Sequence, residues 1–136
     1  MTIDQKIAAK ALQLVGPIRQ GDQPLPSETE YRSICEGLPV LLRVAGADRA
    51  LAFLRARKGK DETMPTAEGM VADHLQQQFQ NLGLLDGSSR ADLQKLFAEA
   101  PLSQHRVYAR LAMTAALWHK RVAQARLRQK PKASQP

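Results

Sequence analysis

Wherever apolar residues recur in this chain, they recur every third or fourth position, the repeat of a helix face. Nowhere do they alternate with polar residues over a useful run, as a half-buried strand requires. That period leaves only helix packed on helix. The segment TIDQKIAAKALQLV opens with Thr2 and Gln5 at capping-box spacing and aligns Ile3, Ile7, Ala8, Ala11, Leu14 and Val15. GPIRQGDQPLP then stops it, because its prolines and glycines cannot continue a helix. Ser27 and Glu30 repeat the capping box, and Tyr31, Ile34, Cys35, Leu38, Leu41, Leu42 and Ala45 follow at helical spacing. Pro39 falls inside that run, so the helix is expected to bend or divide there, and Gly46 to end it.

A third helix, ADRALAFLRARK, has Ala47, Ala50, Leu51 and Leu54 as its inner stripe. GKDETMPT is a loop. From Thr66 to Leu82 the stripe is Met70, Val71, His74, Leu75, Gln78, Phe79 and Leu82, closed by Gly83. Ser89 and Asp92 start a short helix ending near Phe97, and Pro101 opens the longest one, about 27 residues or roughly 40 Å. Its inner face is read as Val107, Leu111, Ala115, Trp118, Val122 and Ala125. At 136 residues, the expected architecture is an all-α, compact single-domain bundle of five to seven helices over residues 1–127. Residues 128–136 are expected to form a disordered basic tail.

Chemistry finds little foothold. His74, His105 and His119 sit on separate segments without paired ligand spacing. His74 lies in an inner stripe and reads as a hydrogen-bonded core histidine, while His105 and His119 flank basic residues and are expected to be exposed. Cys35 falls on a buried face, where a cysteine acts as a small hydrophobe, and one cysteine forms no internal disulfide. No Gly-rich phosphate loop or metal motif occurs, so no enzymatic activity, cofactor or metal is expected. No apolar run reaches membrane-spanning length, and the start lacks a signal-peptide core, so a soluble cytoplasmic protein without a membrane partner is expected.

The charge is lopsided. Residues 1–99 carry 12 Lys and Arg and all 13 Asp and Glu, whereas residues 100–136 carry the other 8 cations and no acid. Such polarity favours a polyanion or an acidic protein face. In RVAGADRALAFLRARKGKD, Arg55 and Arg57 are expected to project from the core, with Arg43 and Arg49 beside them and Lys58 and Lys60 extending the patch. The last helix adds Arg106 and Arg110 one turn apart, then Lys120 and Arg121. Helix-dipole complementarity accounts for Arg57 and Lys58 only. Unpaired like charges one turn apart are unfavourable, and a phosphate backbone would offset them. The few aromatics fall mostly on inner stripes, so sequence-independent, salt-sensitive backbone contact fits better than base readout. A helix-turn-helix reading of LPVLLRVAGADRALAFLRARK meets an unusually tight turn and a third helix lacking Asn, Gln, Ser or Thr to read base edges.

Two stretches carry a family resemblance. One holds Leu38-Pro39, Gly46, the run Leu51-Ala52-Phe53-Leu54 and Lys58; the other, YARLAMTAALWHKRVAQA, holds Tyr108, Arg110, Leu111, Leu117, Trp118, Arg121 and Ala123. In these the chain resembles the small α-helical subunit of the type III-B CRISPR effector, the Cmr RNA-silencing complex, departing from it at Ala47, where that family commonly has leucine. The resemblance implies a non-catalytic subunit acting in antiviral defence. Copies of it, monomeric when isolated, would stack head to tail beside the subunits that hold the guide RNA. Their basic face would line the groove taking the target RNA. Two other classes remain open on the residues alone, a basic protein-interaction adaptor and a small DNA-binding regulator.

Overall fold

The computed structural model describes residues 1–19, 28–56, 66–86 and 92–128. Helix α1 (Ile3–Val15) starts at Thr2, whose hydroxyl accepts from the Gln5 amide while the Gln5 side chain accepts from the Thr2 amide. This capping box satisfies two of the four amides that every helix start leaves without a partner. A 3-10 turn over Gly16–Arg19 follows. Helix α2 (Glu28–Ala45) runs unbroken through Pro39, which is buried, so the expected division does not occur. Its missing amide forfeits one bond to the carbonyl four residues back, and the buried row Tyr31, Cys35, Leu38 and Leu42 holds the helix together across the gap. The Ser27 cap lies outside the described residues.

Gly46 alone joins α2 to α3 (Ala47–Ala56). Its amide donates to Leu42 O at 3.0 Å and its carbonyl accepts from Ala50 at 2.9 Å, so one residue closes one helix and opens the next. Its φ of 85° is left-handed, a conformation in which only glycine escapes a Cβ clash. Helix α4 (Ala67–Asn81) is capped by the Thr66 hydroxyl and leads to α5 (Asp92–Glu99) and the long α6 (Leu102–Arg126). Among the described residues there are six α-helices and no strand. No helix among them is long and apolar enough to cross a membrane.

Helices α2 and α6 lie antiparallel. Glu28 at the start of α2 accepts from the Arg128 amide beyond the end of α6, Arg32 donates to Leu127 O, and Glu36 accepts from Gln124. The core gathers Ile7, Ala11 and Val15 of α1, the α2 row, and Ala47, Ala50, Leu51 and Leu54 of α3. Val71, Leu75 and Phe79 of α4, Leu93 and Phe97 of α5, and the inner face of α6 complete it.

That inner face is Ala112, Ala115, Ala116, His119, Val122 and Ala123. It is turned from the expected stripe, for Val107 is 53% exposed and Ala125 is also outside. Helix α6 is wedged between α1 and α2, and only a row of small side chains lets both neighbours approach. His119, expected outside, is 1% exposed.

Candidate nucleic-acid interface

Tyr31, Cys35, His74 and His119 are buried together in the core. Gln78 on α4 places its amide nitrogen 3.0 Å from Ile7 O, and only the nitrogen can face a carbonyl there. The same nitrogen stands 3.0 Å from His119 Nε2, which must therefore accept. A neutral His119 then carries its proton on Nδ1 and donates to the Tyr31 hydroxyl at 3.3 Å. Tyr31 in turn donates to His74 Nδ1 at 2.6 Å. The result is a one-directional chain of hydrogen bonds tying α1, α4, α6 and α2 together. Gln78 Oε1 is buried and has no hydrogen-bond partner among the described residues.

Burial pulls His74 down to about 4; Lys10 adds to the shift, and Asp73 opposes it. Burial, then the neighbouring His74, pulls His119 down to about 3. Burial likewise pushes the Cys35 thiol up to about 12 and raises Tyr31 well above its ordinary value. His74 is thus the hydrogen-bonded core residue the sequence suggests, and His119 shares its environment. Among the described residues no three His, Cys, Asp or Glu side chains converge as a metal site.

The surface carries the arginines. Arg106, Arg110 and Arg121 are all exposed on α6. Spacings of four and eleven residues place them within about 60° of one another around the axis, on a row roughly 22 Å long. Arg43 is exposed on α2. It lies seven residues beyond Glu36 and so falls on the flank that α6 touches through Glu28, Arg32 and Glu36. Continuing the antiparallel register brings Arg43 alongside the α6 stretch between Arg110 and Arg121. None of these four pairs with a carboxylate among the described residues. Lys120 is half-buried on the same side of α6, and Glu36, held by Arg32 and Gln124, marks one end of the seam.

The α3 end of the expected patch fares differently. Arg49 is exposed, on the face opposite the Ala47–Leu54 stripe. Arg55 does not project into solvent: its guanidinium is ion-paired with Asp73 of α4, and its side chain is 15% exposed. At the edge of the α3 stripe, it bridges α3 to α4. Arg57, Lys58 and Lys60 lie outside the described residues. His105 is half-buried, bonded to Asp48 at 2.9 Å, and joins the first turn of α3 to the first turn of α6. The turn between α2 and α3 is the single Gly46, and the exposed α3 side chains are Asp48, Arg49, Ala52, Phe53 and Ala56, with no amide or hydroxyl for base edges.

The residue pattern alone missed one feature of this surface. Trp118, expected on the inner stripe, is half-buried at the α1–α6 seam, where its Nε1–H donates to Asp4 at 3.0 Å and the Arg121 guanidinium lies over its ring. The i, i+3 spacing of Trp118 and Arg121 was the available signal.

Compared with known proteins, residues 3–126 match the model of a family described as CRISPR-associated protein (Cas_Cmr5). A relative named CRISPR system Cmr subunit Cmr5, from Thermus thermophilus, is 34% identical over 124 residues, covering 91% of this chain and 95% of the relative. The crystal structure of a CRISPR-associated Cmr5 family protein, also from Thermus thermophilus, superposes with a TM-score of 0.74 at 34% identity, covering 94% of this chain and all of that one.

Proposed function

The chain belongs to the Cas_Cmr5 family, and from that premise we propose that it is the non-catalytic small subunit of a type III-B Cmr effector ribonucleoprotein. In this reading copies stack in a filament beside the other subunits and hold the target RNA through the basic seam of α2 and α6. The observation that carries it is the row Arg106, Arg110 and Arg121 with Arg43 alongside, exposed and without carboxylate partners among the described residues. Like charges so placed repel one another, and a phosphate backbone relieves that repulsion. The buried His74, His119 and Cys35 are packing residues of the core and take no part in this surface.

The test is mixed-sequence single-stranded RNA binding by the full chain, read by anisotropy at several salt concentrations. Each copy offers few contacts, so binding by the isolated protein is expected to be weak and the array to supply avidity. Changing Arg43, Arg106, Arg110 and Arg121 to alanine should weaken binding at least tenfold, equally for all sequences. It should also reduce the salt slope by about 3, since single strands release roughly 0.7 counterion per contact. Arg55→Ala should leave affinity unchanged, because Asp73 already holds that side chain. An unaltered salt slope in the quadruple variant would falsify the assignment of the seam.

A protein-adaptor reading keeps one specific support. Val40 and Val44, one turn apart on α2 beside Arg43, are 57% and 80% exposed. An adaptor would show no RNA affinity even at low salt. The two readings separate in the same titration.

A further inference from the structure

Trp118 and Arg121 stand one turn apart on α6, and the Arg121 guanidinium carbon lies 5.0 Å from the indole centroid. The indole cannot turn freely: its Nε1–H is tied to Asp4 of α1 at 3.0 Å, and its ring packs against the core. A carboxylate on one helix therefore fixes a ring on another, and the ring fixes a guanidinium. The contact holds that group beside the indole, and no carboxylate among the described residues takes up its N–H donors, which can serve a bidentate acceptor. Arg121 itself is exposed and unpaired among the described residues, while Asp4 is engaged at the edge of the indole. Arg106 and Arg110 have no comparable aromatic bed among the described residues.

We propose that Trp118 is a positioning residue that holds Arg121 as a pre-set anchor for one phosphodiester of a single-stranded RNA. This rests on the RNA-binding reading of the same seam. The row on α6 then contains one braced contact and two that no ring braces among the described residues. A rigid guanidinium loses less freedom on capturing phosphate, so it contributes more than its charge alone. Lysine would not substitute for it, since an ammonium has no planar face to stack and no fork to match two phosphate oxygens.

The experiment uses the full chain and a labelled mixed-sequence RNA at low salt, with Arg121→Ala, Arg121→Lys, Trp118→Leu and Trp118→Phe. Arg121→Ala and Trp118→Leu should each weaken binding about fivefold, although the second leaves net charge untouched. Trp118→Phe, which keeps an aromatic face but loses the N–H that Asp4 holds, should restore part of the loss, and Arg121→Lys should restore none. Trp118 is the one tryptophan of the chain, so its emission should shift on RNA addition with the same midpoint as the anisotropy, and the shift should vanish in Arg121→Ala.

If Trp118→Leu binds normally while Arg121→Ala does not, the anchor idea fails and the RNA reading stands. Equal losses in the Leu and Phe variants with a lowered thermal midpoint would mean that the ring only stabilises the bundle, and would also overturn it. A preference for oligo-A over oligo-U that Arg121→Ala abolishes would assign the guanidinium to a base instead of a phosphate. Silence of Arg106→Ala, Arg110→Ala and Arg121→Ala together would remove the RNA reading and this inference with it.

Discussion

Lowering the pH from 7 to 5 should destabilise this protein by about 4 kcal/mol, most of it through two histidines. His74 and His119 are held at about 4 and about 3 in the fold, well below the ordinary histidine value near 6.5. At pH 5 the unfolded chain therefore binds two protons that the folded protein refuses. Each contributes about 2 kcal/mol across that interval, on linkage arithmetic that needs only folded values below 5. The direction is fixed: stability is complete above the unfolded value and is lost as pH falls through 6.5 toward 4 and then 3. Ordinary carboxylates titrate mostly below this interval and contribute little to it.

The surroundings explain why the fold resists protonation. Tyr31 of α2 and His119 of α6 face His74 within its own hydrogen-bond chain, Lys10 of α1 repels added charge, and Asp73 only partly offsets it. A proton on His119 Nε2 would also point at the donor N–H of Gln78. Urea unfolding at pH 7, 6 and 5 measures the effect, and His119→Gln should roughly halve the pH dependence. Equal stability at pH 7 and 5 would show that these rings are open to water.

Phe79→Ala is expected to cost about 3–5 kcal/mol, a large share of the 5–15 kcal/mol that holds a typical domain. Phe79 is 1% exposed and meets Phe97 of α5 and Tyr108 of α6 edge-on, at 5.9 and 6.3 Å between ring centres. Phe97 in turn contacts His105, which holds Asp48. The truncation leaves a cavity where three helices converge and removes two favourable ring geometries. Its effect should be uneven along α6. The first three turns rely on this cluster and should exchange amide hydrogens faster, whereas the far end stays tied by Arg32 and Glu28. A midpoint shift worth less than about 1 kcal/mol, or uniform exchange along α6, would contradict this account.

Helix α3 shows what the residue pattern could disclose. It packs one side against the body, so Ala47, Ala50, Leu51 and Leu54 stand out from their neighbours, and all four are buried. Helix α6 shows the opposite. It is covered from two sides by α1 and α2, and a wide buried arc of alanines weakens the contrast on which periodicity depends. Val107 and Trp118 then drew the inner stripe toward bulk instead of toward the contact. His119 was illegible for a related reason: its hydrogen-bond partners Tyr31 and Gln78 lie 88 and 41 residues away. Arg55 sits beside solvent-facing residues in the sequence, and nothing local signals Asp73 eighteen residues on. Family membership was legible because it depends on the order of packing residues, which a mistaken exposure does not disturb.

The single-residue joint at Gly46 makes length itself a determinant of this surface. Inserting one amino acid there would rotate α3 by roughly 100° if the helix kept its place. The aliphatic row would swing off the body, Arg49 would be carried toward it, and the partnerships with Asp73 and His105 would be lost together. Variation among relatives should therefore tolerate many side-chain exchanges at this corner, and insertions or deletions hardly at all.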